Sequence, residues 1–295
     1  MALSKEAIRQ KLAEQPVQLQ DGTRLPKLGQ GTWFIGNHPD RRQEEIRALR
    51  TGIELGMRLI DTAEMYGEGR AESLVGEAVQ GIRDEVFLVS KVYPHHADRK
   101  QIIRSCENSL KRLQTDRLDL YLLHWRGSVP LSETVEGMER LVEQGKILRW
   151  GVSNLDTKDM KELFGLPEGA RCAVNQVLYH LGSRGIEFDL LPWQRERGVP
   201  AMAYCPLAQA GSLRRGLTEH KTVKEIARKY GLGPLQLLLA WCIRQDDIIA
   251  IPKASSEAHV LENAAAVSVR LSEEDLVLLD QAFPPPSRKV PLDIV

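Results

Sequence analysis

The sequence has few of the features that mark specialised classes of protein. Its 295 residues carry 40 basic and 40 acidic side chains, so no general attraction to nucleic acid or to an anionic membrane is expected. The N-terminus lacks the apolar segment of a secretory signal, and the most apolar stretch, LQLLLAWCI at 235–243, is too short to span a bilayer. The four cysteines form no C-x-x-C pair, which is typical of free thiols in a reducing compartment. We therefore expect a cytoplasmic protein with no nucleic-acid or membrane partner.

Short β-rich segments alternate with amphipathic helical patterns along almost the whole chain. Eight segments are predicted to be strands: 27–33, 57–63, 86–92, 118–125, 148–154, 172–179, 200–207 and 248–254. Several are nearly continuous in apolar residues, as in strands buried on both faces of a parallel sheet. Eight βα units favour an α/β fold closed into a (β/α)8 TIM barrel. The alternative, a doubly wound open sheet, usually carries a G-x-G-x-x-G motif after its first strand, and that motif does not occur here.

Elements outside the eight units are also marked in the sequence. Asp21 and Gly22 interrupt an alternating segment and predict an N-terminal β-hairpin that plugs the bottom of the barrel. Ser272 opens a capping-box signature for an extra C-terminal helix. The closing PPPSRKVPLDIV predicts an extended tail on the surface or over a barrel mouth. We predict an N-terminal extension over 1–15 and a single barrel domain over 16–295 that ends in this tail.

Polar side chains stand at or just beyond the C-terminal ends of most predicted strands. In chain order they are Asp61, Tyr66 in the loop beyond it, Lys91, His124, Ser153, Asn154, Gln176, Tyr204 and Lys253. The strands of a barrel bring these ends to one rim, where barrel active sites lie, so the residues are predicted to share one pocket. Taken singly, each has a structural alternative, such as a helix cap or a core histidine. An acid and a lysine on adjacent buried strands must nevertheless pair, because burying either charge alone is costly.

Four of these residues suit acid–base chemistry on a carbonyl group. A free tyrosine has a pKa of about 10, and a nearby ammonium is expected to lower it. Lys91, held in place by Asp61, would thereby turn Tyr66 into a proton donor. His124 would donate a hydrogen bond to the same carbonyl oxygen. No nucleophile is implied, and no residues have the spacing of a metal site.

Five segments, taken together and in order, resemble the signatures of the aldo-keto reductases. They are MRLIDTAEMYGEG, YLLHW, GVSN, NQVLYH and IPKASS, and the likeness runs over roughly positions 17–283. It points to a short-loop, prokaryotic-type member of the family. The resemblance implies a (β/α)8 barrel that binds a nicotinamide dinucleotide without a Rossmann domain. It also implies a catalytic tetrad of Asp61, Tyr66, Lys91 and His124.

The resemblance further assigns contacts to the cofactor. Ser153, Asn154 and Gln176 would hydrogen-bond the nicotinamide carboxamide, and Tyr204 would stack on the ring, with packing at the barrel top as its alternative. The residues placed around the adenosine 2′-phosphate and adenine are Lys253, Ser256, His259, Glu262 and Asn263. Many members carry serine at the position of Ala254 and arginine at that of His259, and histidine holds a phosphate less firmly than arginine. NADPH is therefore the expected cofactor, with NADH possible.

The loops that would shape the substrate pocket, 126–134 and 208–216, are short and predict an open site. Trp33 and Trp125 are candidate walls, with core packing as the alternative for both. We expect a monomer that reduces small aldehydes, ketones or dicarbonyls such as methylglyoxal. One alternative is a nucleotide-binding regulatory module on the same fold without turnover. Another is a metal-dependent barrel isomerase, which would need several converging carboxylates.

Overall fold

The computed structural model describes residues 4–209 and 211–295. Its strands are β1 (Pro16–Gln18), β2 (Arg24–Pro26), β3 (Gln30–Gly31), β4 (Leu59–Asp61), β5 (Phe87–Val92), β6 (Leu120–Leu123), β7 (Trp150–Ser153), β8 (Asn175–Leu178), β9 (Ala201–Tyr204) and β10 (Ile248–Ala250). Strands β3 to β10 form one sheet in chain order, and every neighbouring pair is parallel. The predicted (β/α)8 barrel is confirmed.

The barrel closes along a seam between its first and last strands. Parallel bridges join Leu28 to Ala250 and Gly31 to Lys253, and the Gly31 amide donates to the Pro252 carbonyl oxygen at 3.1 Å. A Cβ atom on Gly31 would lie 2.6 Å from the carbonyl oxygen of Ile251. The seam therefore requires glycine at this position, because two backbones approach each other closely there.

Each of the eight predicted strand segments contains an observed strand, but the predicted segments are longer than the observed strands. Segment 118–125 shortens to Leu120–Leu123, for example, and 27–33 shortens to Gln30–Gly31. Left-handed backbone explains two of the early ends, since Asn154 has φ 58° directly after β7 and Cys205 has φ 48° directly after β9. Such a residue turns the chain out of the ladder while the apolar sequence pattern continues.

The predicted hairpin is present at the bottom of the barrel. Strands β1 and β2 pair antiparallel, with Pro16 opposite Pro26, and Gly22 in the turn has φ 84°. Val17, Leu19 and Leu25 pack in one cluster with residues of the barrel interior. This hydrophobic cluster closes the end of the barrel that is opposite the predicted site.

Helices surround the sheet: α1 (Lys5–Glu14), α2 (Arg42–Glu54), α3 (Arg70–Ala78), α4 (Gln101–Leu113), α5 (Leu131–Glu143), α6 (Thr157–Phe164), α7 (Leu190–Arg195), α8 (Ser212–Thr218), α9 (Lys221–Lys229), α10 (Pro234–Cys242), α11 (Glu257–Ala265) and α12 (Glu273–Ala282). The extra C-terminal helix α12 starts at the predicted cap, where the Ser272 hydroxyl accepts the Asp275 amide. Helix α1 buries Ile8 and Leu12 in the same core as the barrel helices. The domain division at residue 15 stays a prediction.

The chain beyond α12 crosses the upper face of the barrel without regular secondary structure. The Lys289 ammonium pairs with the carboxylates of Asp156 and Asp189, and the Ser183 hydroxyl donates to Asp293. These contacts bring the last residues to the barrel mouth, which is one of the two places predicted for the tail. Within the described ranges, no helix has the length and apolar character needed to cross a membrane.

Candidate active site

A cavity of about 1010 Å³ opens at the C-terminal ends of the barrel strands. It is lined by eleven of the residues that the sequence singled out: Trp33, Asp61, Tyr66, His124, Trp125, Ser153, Asn154, Gln176, Tyr204, Lys253 and His259. These residues are spread over more than two hundred positions, and the parallel strands bring them to one rim. Lys91 is fully buried behind this surface.

Lys91 is the centre of the polar cluster under the cavity. Its ammonium donates to Asp61 Oδ2 at 2.7 Å, to the Thr62 carbonyl oxygen at 2.8 Å and to the Tyr66 hydroxyl at 3.0 Å. Asp61 is paired with Val89 across β4 and β5, and Lys91 lies two residues further along β5 on the same face. The strand register therefore places the acid beside the lysine, and the loop after β4 brings the phenol to it.

The expected lowering of the Tyr66 pKa is wrong. Burial raises the pKa of the Tyr66 phenol well above its usual range, and the Asp61 carboxylate raises it further. Burial also lowers the pKa of Lys91 and raises that of Asp61, against the attraction between the two groups. The Tyr66 phenol is therefore protonated at neutral pH, which makes it a proton donor rather than a base.

His124 stands at the end of β6 with its ring at 75° to that of Tyr66 and 5.7 Å between the ring centroids. Burial, followed by the Lys91 ammonium, lowers the pKa of His124 to about 2. Its Nδ1 is buried and has no hydrogen-bond partner in the part of the chain that the structure describes. The imidazole is neutral at physiological pH, so one ring nitrogen carries a proton and the other accepts.

The Gln176 amide reaches across the barrel to the acid. Its Nε2 donates to Asp61 Oδ1 at 2.8 Å, whereas Asp61 Oδ2 accepts from Lys91. Each carboxylate oxygen therefore has its own donor, which fixes the plane of the carboxylate. The sequence had placed Gln176 only against a cofactor, and this contact with the acid was not predicted.

Asn154 is held by three hydrogen bonds between the predicted cofactor residues and the tetrad. Its Nδ2 donates to the His124 carbonyl oxygen and to Ser153 Oγ, both at 3.2 Å. Its Oδ1 accepts from the Tyr204 hydroxyl at 2.8 Å. Ser153 donates in turn to the Gln176 carbonyl oxygen at 2.9 Å. The side chains of Asn154, Ser153 and Tyr204, anchored to the Gln176 backbone, form one connected floor beside the tetrad.

The far end of the cavity is cationic. Lys253 follows β10, is solvent-exposed, and has no hydrogen-bond or ion-pair partner within residues 4–209 and 211–295. Ser256 caps α11 by accepting the His259 amide at 3.4 Å. Ser256, Glu262 and Asn263 lie outside the cavity lining, so their contacts with a cofactor stay a prediction.

The sequence profile of the Aldo/keto reductase family matches residues 27–283. The chain belongs to this family. It is 56% identical to methylglyoxal reductase YeaE of Escherichia coli K12, covering 96% of this chain and 100% of that one. It is 32% identical to a glyoxal reductase of Bacillus subtilis, covering 90% and 91%. A crystal structure of an aldo-keto reductase from Klebsiella pneumoniae in complex with NADPH has a TM-score of 0.93 and 57% identity, covering 95% and 99%.

Several residues of this aldo/keto reductase line the cavity without having been singled out in the sequence. Phe34 stacks on Trp33 at 4.6 Å between ring centroids, remains 57% exposed and has a left-handed φ of 66°. Ser255 lines the cationic end, and Ile294 and Val295 reach the mouth from the tail. The aromatic pair at the end of the first predicted strand, Trp33 and Phe34, is the one sequence signal that marks Phe34.

Proposed function

We propose that this aldo/keto reductase reduces small aldehydes, ketones and dicarbonyls, methylglyoxal among them, to alcohols with NADPH. The observation that carries the proposal is the contact of Lys91 with both Asp61 and Tyr66 at the floor of the cavity, beside a neutral His124. The names of similar proteins support the substrate class, since two of them are a methylglyoxal reductase and a glyoxal reductase. Similar crystal structures in complex with NADP or NADPH support the cofactor.

The described residues fit such a cofactor. The cavity extends from Tyr204 and Asn154 at one end to Lys253 and His259 at the other. The first end offers a ring face and amide groups for a nicotinamide, and the second offers positive charge for a phosphate. When bound, NADPH supplies the hydride that the carbonyl carbon receives.

In this proposal the chain's own residues handle the carbonyl oxygen. Tyr66 gives its phenolic proton to that oxygen as negative charge develops on it. The Lys91 ammonium, 3.0 Å from the phenolic oxygen, stabilises the phenolate that remains. His124 donates a hydrogen bond to the carbonyl oxygen and orients it. Asp61, with Gln176 on its second oxygen, holds Lys91 in place.

The same proposal makes Trp33 and Trp125 walls of the substrate pocket, because both line the cavity near the tetrad. We further infer a monomer in the cytoplasm. One chain supplies every group of the proposed site, and the buried Cys106, Cys172 and Cys242 are free thiols.

The experiment that tests the function is a turnover panel. Small aldehydes and dicarbonyls, including methylglyoxal, are assayed beside bulky steroid ketones, with NADPH and with NADH. We expect the small compounds to be reduced faster, and NADPH to be used in preference to NADH. Faster turnover of the bulky ketones would contradict the proposed substrate class. Tight NADPH binding without turnover of any carbonyl would favour the regulatory module.

We expect the plot of kcat against pH to show no rise or fall near the pKa of an ordinary histidine. His124 has a pKa of about 2, so its imidazole is neutral at any higher pH. The pKa of Tyr66 is raised well above its usual range, so its phenol is protonated at any pH below that raised value. Between pH 5.5 and 8 neither group changes its protonation state, so neither should contribute a limb to the pH profile of kcat there. The measurement is kcat at saturating substrate and NADPH across this range. A midpoint near the ordinary histidine value would show that His124 titrates and would contradict this assignment.

A further inference from the structure

We propose that Arg41 binds the 2′-phosphate of NADPH from the side opposite Lys253 and thereby sets the preference for NADPH over NADH. The inference rests on the proposed function, because it concerns the cofactor of the same site. Arg41 lies more than two hundred positions from Lys253 in the sequence, and nothing in the family signatures marks it.

The fold brings Arg41 to the cationic end of the cavity. Arg41 closes a short 3-10 turn, Pro39–Arg41, directly before α2. Helix α2 packs beside α11, and Arg41 Nη2 lies 3.3 Å from the Ser255 hydroxyl just ahead of α11. Ser255 itself lines the cavity, two residues after Lys253. The guanidinium and the ammonium therefore face the same small region from two different elements.

The charges in this region call for an anion. Among the described residues Lys253 has no carboxylate within ion-pair distance, and the one carboxylate paired with Arg41 is that of Glu44, 3.3 Å from Nε. Burial lowers the pKa of Lys253; the Glu45 carboxylate opposes that shift, and the Arg41 charge, with a smaller effect than Glu45, lowers the pKa further, so the two cations repel each other. A doubly charged phosphomonoester would relieve this repulsion.

The donor groups match a phosphate in number and kind. A guanidinium has five N–H groups in a planar fork, and Arg41 uses two of them on Glu44 and Ser255. The remaining donors, the Lys253 ammonium and the Ser255 hydroxyl suit the oxygens of one phosphate. NADPH and NADH differ by only this phosphate, so its binding energy appears directly as cofactor preference.

The sequence gives a reason for this arrangement. Where many family members have arginine on the first turn of α11, this chain has His259, which lacks the planar fork of donors with which a guanidinium binds a phosphate. Arg41 supplies a guanidinium to the same region from the turn that precedes α2. The protein would then keep its preference for NADPH, with the guanidinium supplied by the turn before α2 rather than by the first turn of α11.

The test measures binding and needs no turnover. Adenosine 2′,5′-bisphosphate, 5′-AMP, NADPH and NADH are titrated against the wild type and against Arg41→Gln. We expect Arg41→Gln to weaken the bisphosphate and NADPH on the order of tenfold, with no change for 5′-AMP and NADH. Arg41→Lys keeps the charge and loses the fork, so it should fall between the two.

Two further variants give the control and an opposite effect. Arg47→Gln removes a cation from α2, the helix that follows Arg41; Arg47 pairs with Glu257 of α11 at 3.6 Å, and its loss should leave all four affinities unchanged. Glu44→Gln removes the carboxylate that competes for Arg41 and should tighten NADPH by roughly two- to fivefold. Equal loss of NADPH and NADH in Arg41→Gln, or no loss of either, would overturn the inference.

The outcome is separable from that of the proposed function. Selective loss of the 2′-phosphate ligands in Arg41→Gln supports the inference even if no carbonyl is turned over, in which case only the reductase proposal fails. Carbonyl reduction with unchanged cofactor preference in Arg41→Gln overturns the inference alone. Equal thermal unfolding of the wild type and the variants shows that the comparison is between folded proteins.

Discussion

Replacing Tyr66 by phenylalanine is expected to lower kcat by about 10²- to 10⁴-fold, the usual contribution of a positioned general acid. The substitution removes only the hydroxyl that contacts Lys91 at 3.0 Å and that carries the transferable proton. The ring remains, so the cavity keeps its shape and the affinity for NADPH should not change. The measurements are kcat with methylglyoxal and the Kd of NADPH, each for wild type and variant.

Tyr93→Phe is the matched control for this experiment. Tyr93 lies in the loop after β5, its ring perpendicular to that of Trp125 with 6.0 Å between the ring centroids, and it does not line the cavity. Losing its hydroxyl should leave kcat near the wild-type value. A Tyr66→Phe enzyme that keeps most of its turnover, or that loses no more than Tyr93→Phe, would remove Tyr66 from the proton-donor role.

The second large effect is expected on stability as well as on activity. Lys91→Met leaves the Asp61 carboxylate buried and without its cation, and breaking a buried pair in this way costs about 3–5 kcal/mol in free energy of unfolding. Adding Asp61→Asn removes the stranded charge and keeps an acceptor for Gln176, so the double variant should recover most of that loss. Neither variant should recover turnover, because the ammonium beside Tyr66 is absent from both. Urea unfolding and kcat measure the two effects separately.

Lys27 supplies the contrast that this experiment needs. It is also buried, but it lies at the bottom of the barrel and pairs at 2.7 Å with Asp246, whose side chain is 99% exposed. Lys27→Met leaves that carboxylate in water, so it should destabilise the protein less than Lys91→Met and leave kcat unchanged. A double variant Lys91→Met/Asp61→Asn that turns over at the wild-type rate would show that the pair serves the fold alone.

The barrel could be predicted from the sequence because the same pattern, a strand followed by a helix, occurs eight times. Eight apolar segments alternate with helical patterns, and each contains an observed strand. The ends of these strands were harder to place, since a single left-handed residue such as Asn154 or Cys205 ends a ladder while the apolar pattern continues. Backbone conformation of this kind has no counterpart in hydrophobic periodicity.

Some features of the candidate site could also be predicted from the sequence, and others could not. Asp61, Lys91 and His124 could be assigned to one pocket because strand ends of a barrel converge by geometry. The direction of the Tyr66 pKa could not be predicted from residue types, because it depends on how deeply the phenol is buried compared with how near the ammonium lies. Arg41 could not be predicted for another reason. It directly precedes α2, and it reaches the cavity because α2 packs beside α11. No local sequence pattern indicates which helices lie side by side.

The seam between the first and last barrel strands, at Gly31, has a consequence for how the chain folds during synthesis. Gly31 and Lys253 are roughly 220 positions apart, so a ribosome needs about 10 to 45 s to deliver the last strand after the first. During that interval β3 has an unpaired edge on one side, and such edges promote association between nascent chains. Closing the ring last also makes the most distant contacts the slowest to form. The step that completes the cationic end of the cavity is thus also the step that removes the exposed edges of the sheet.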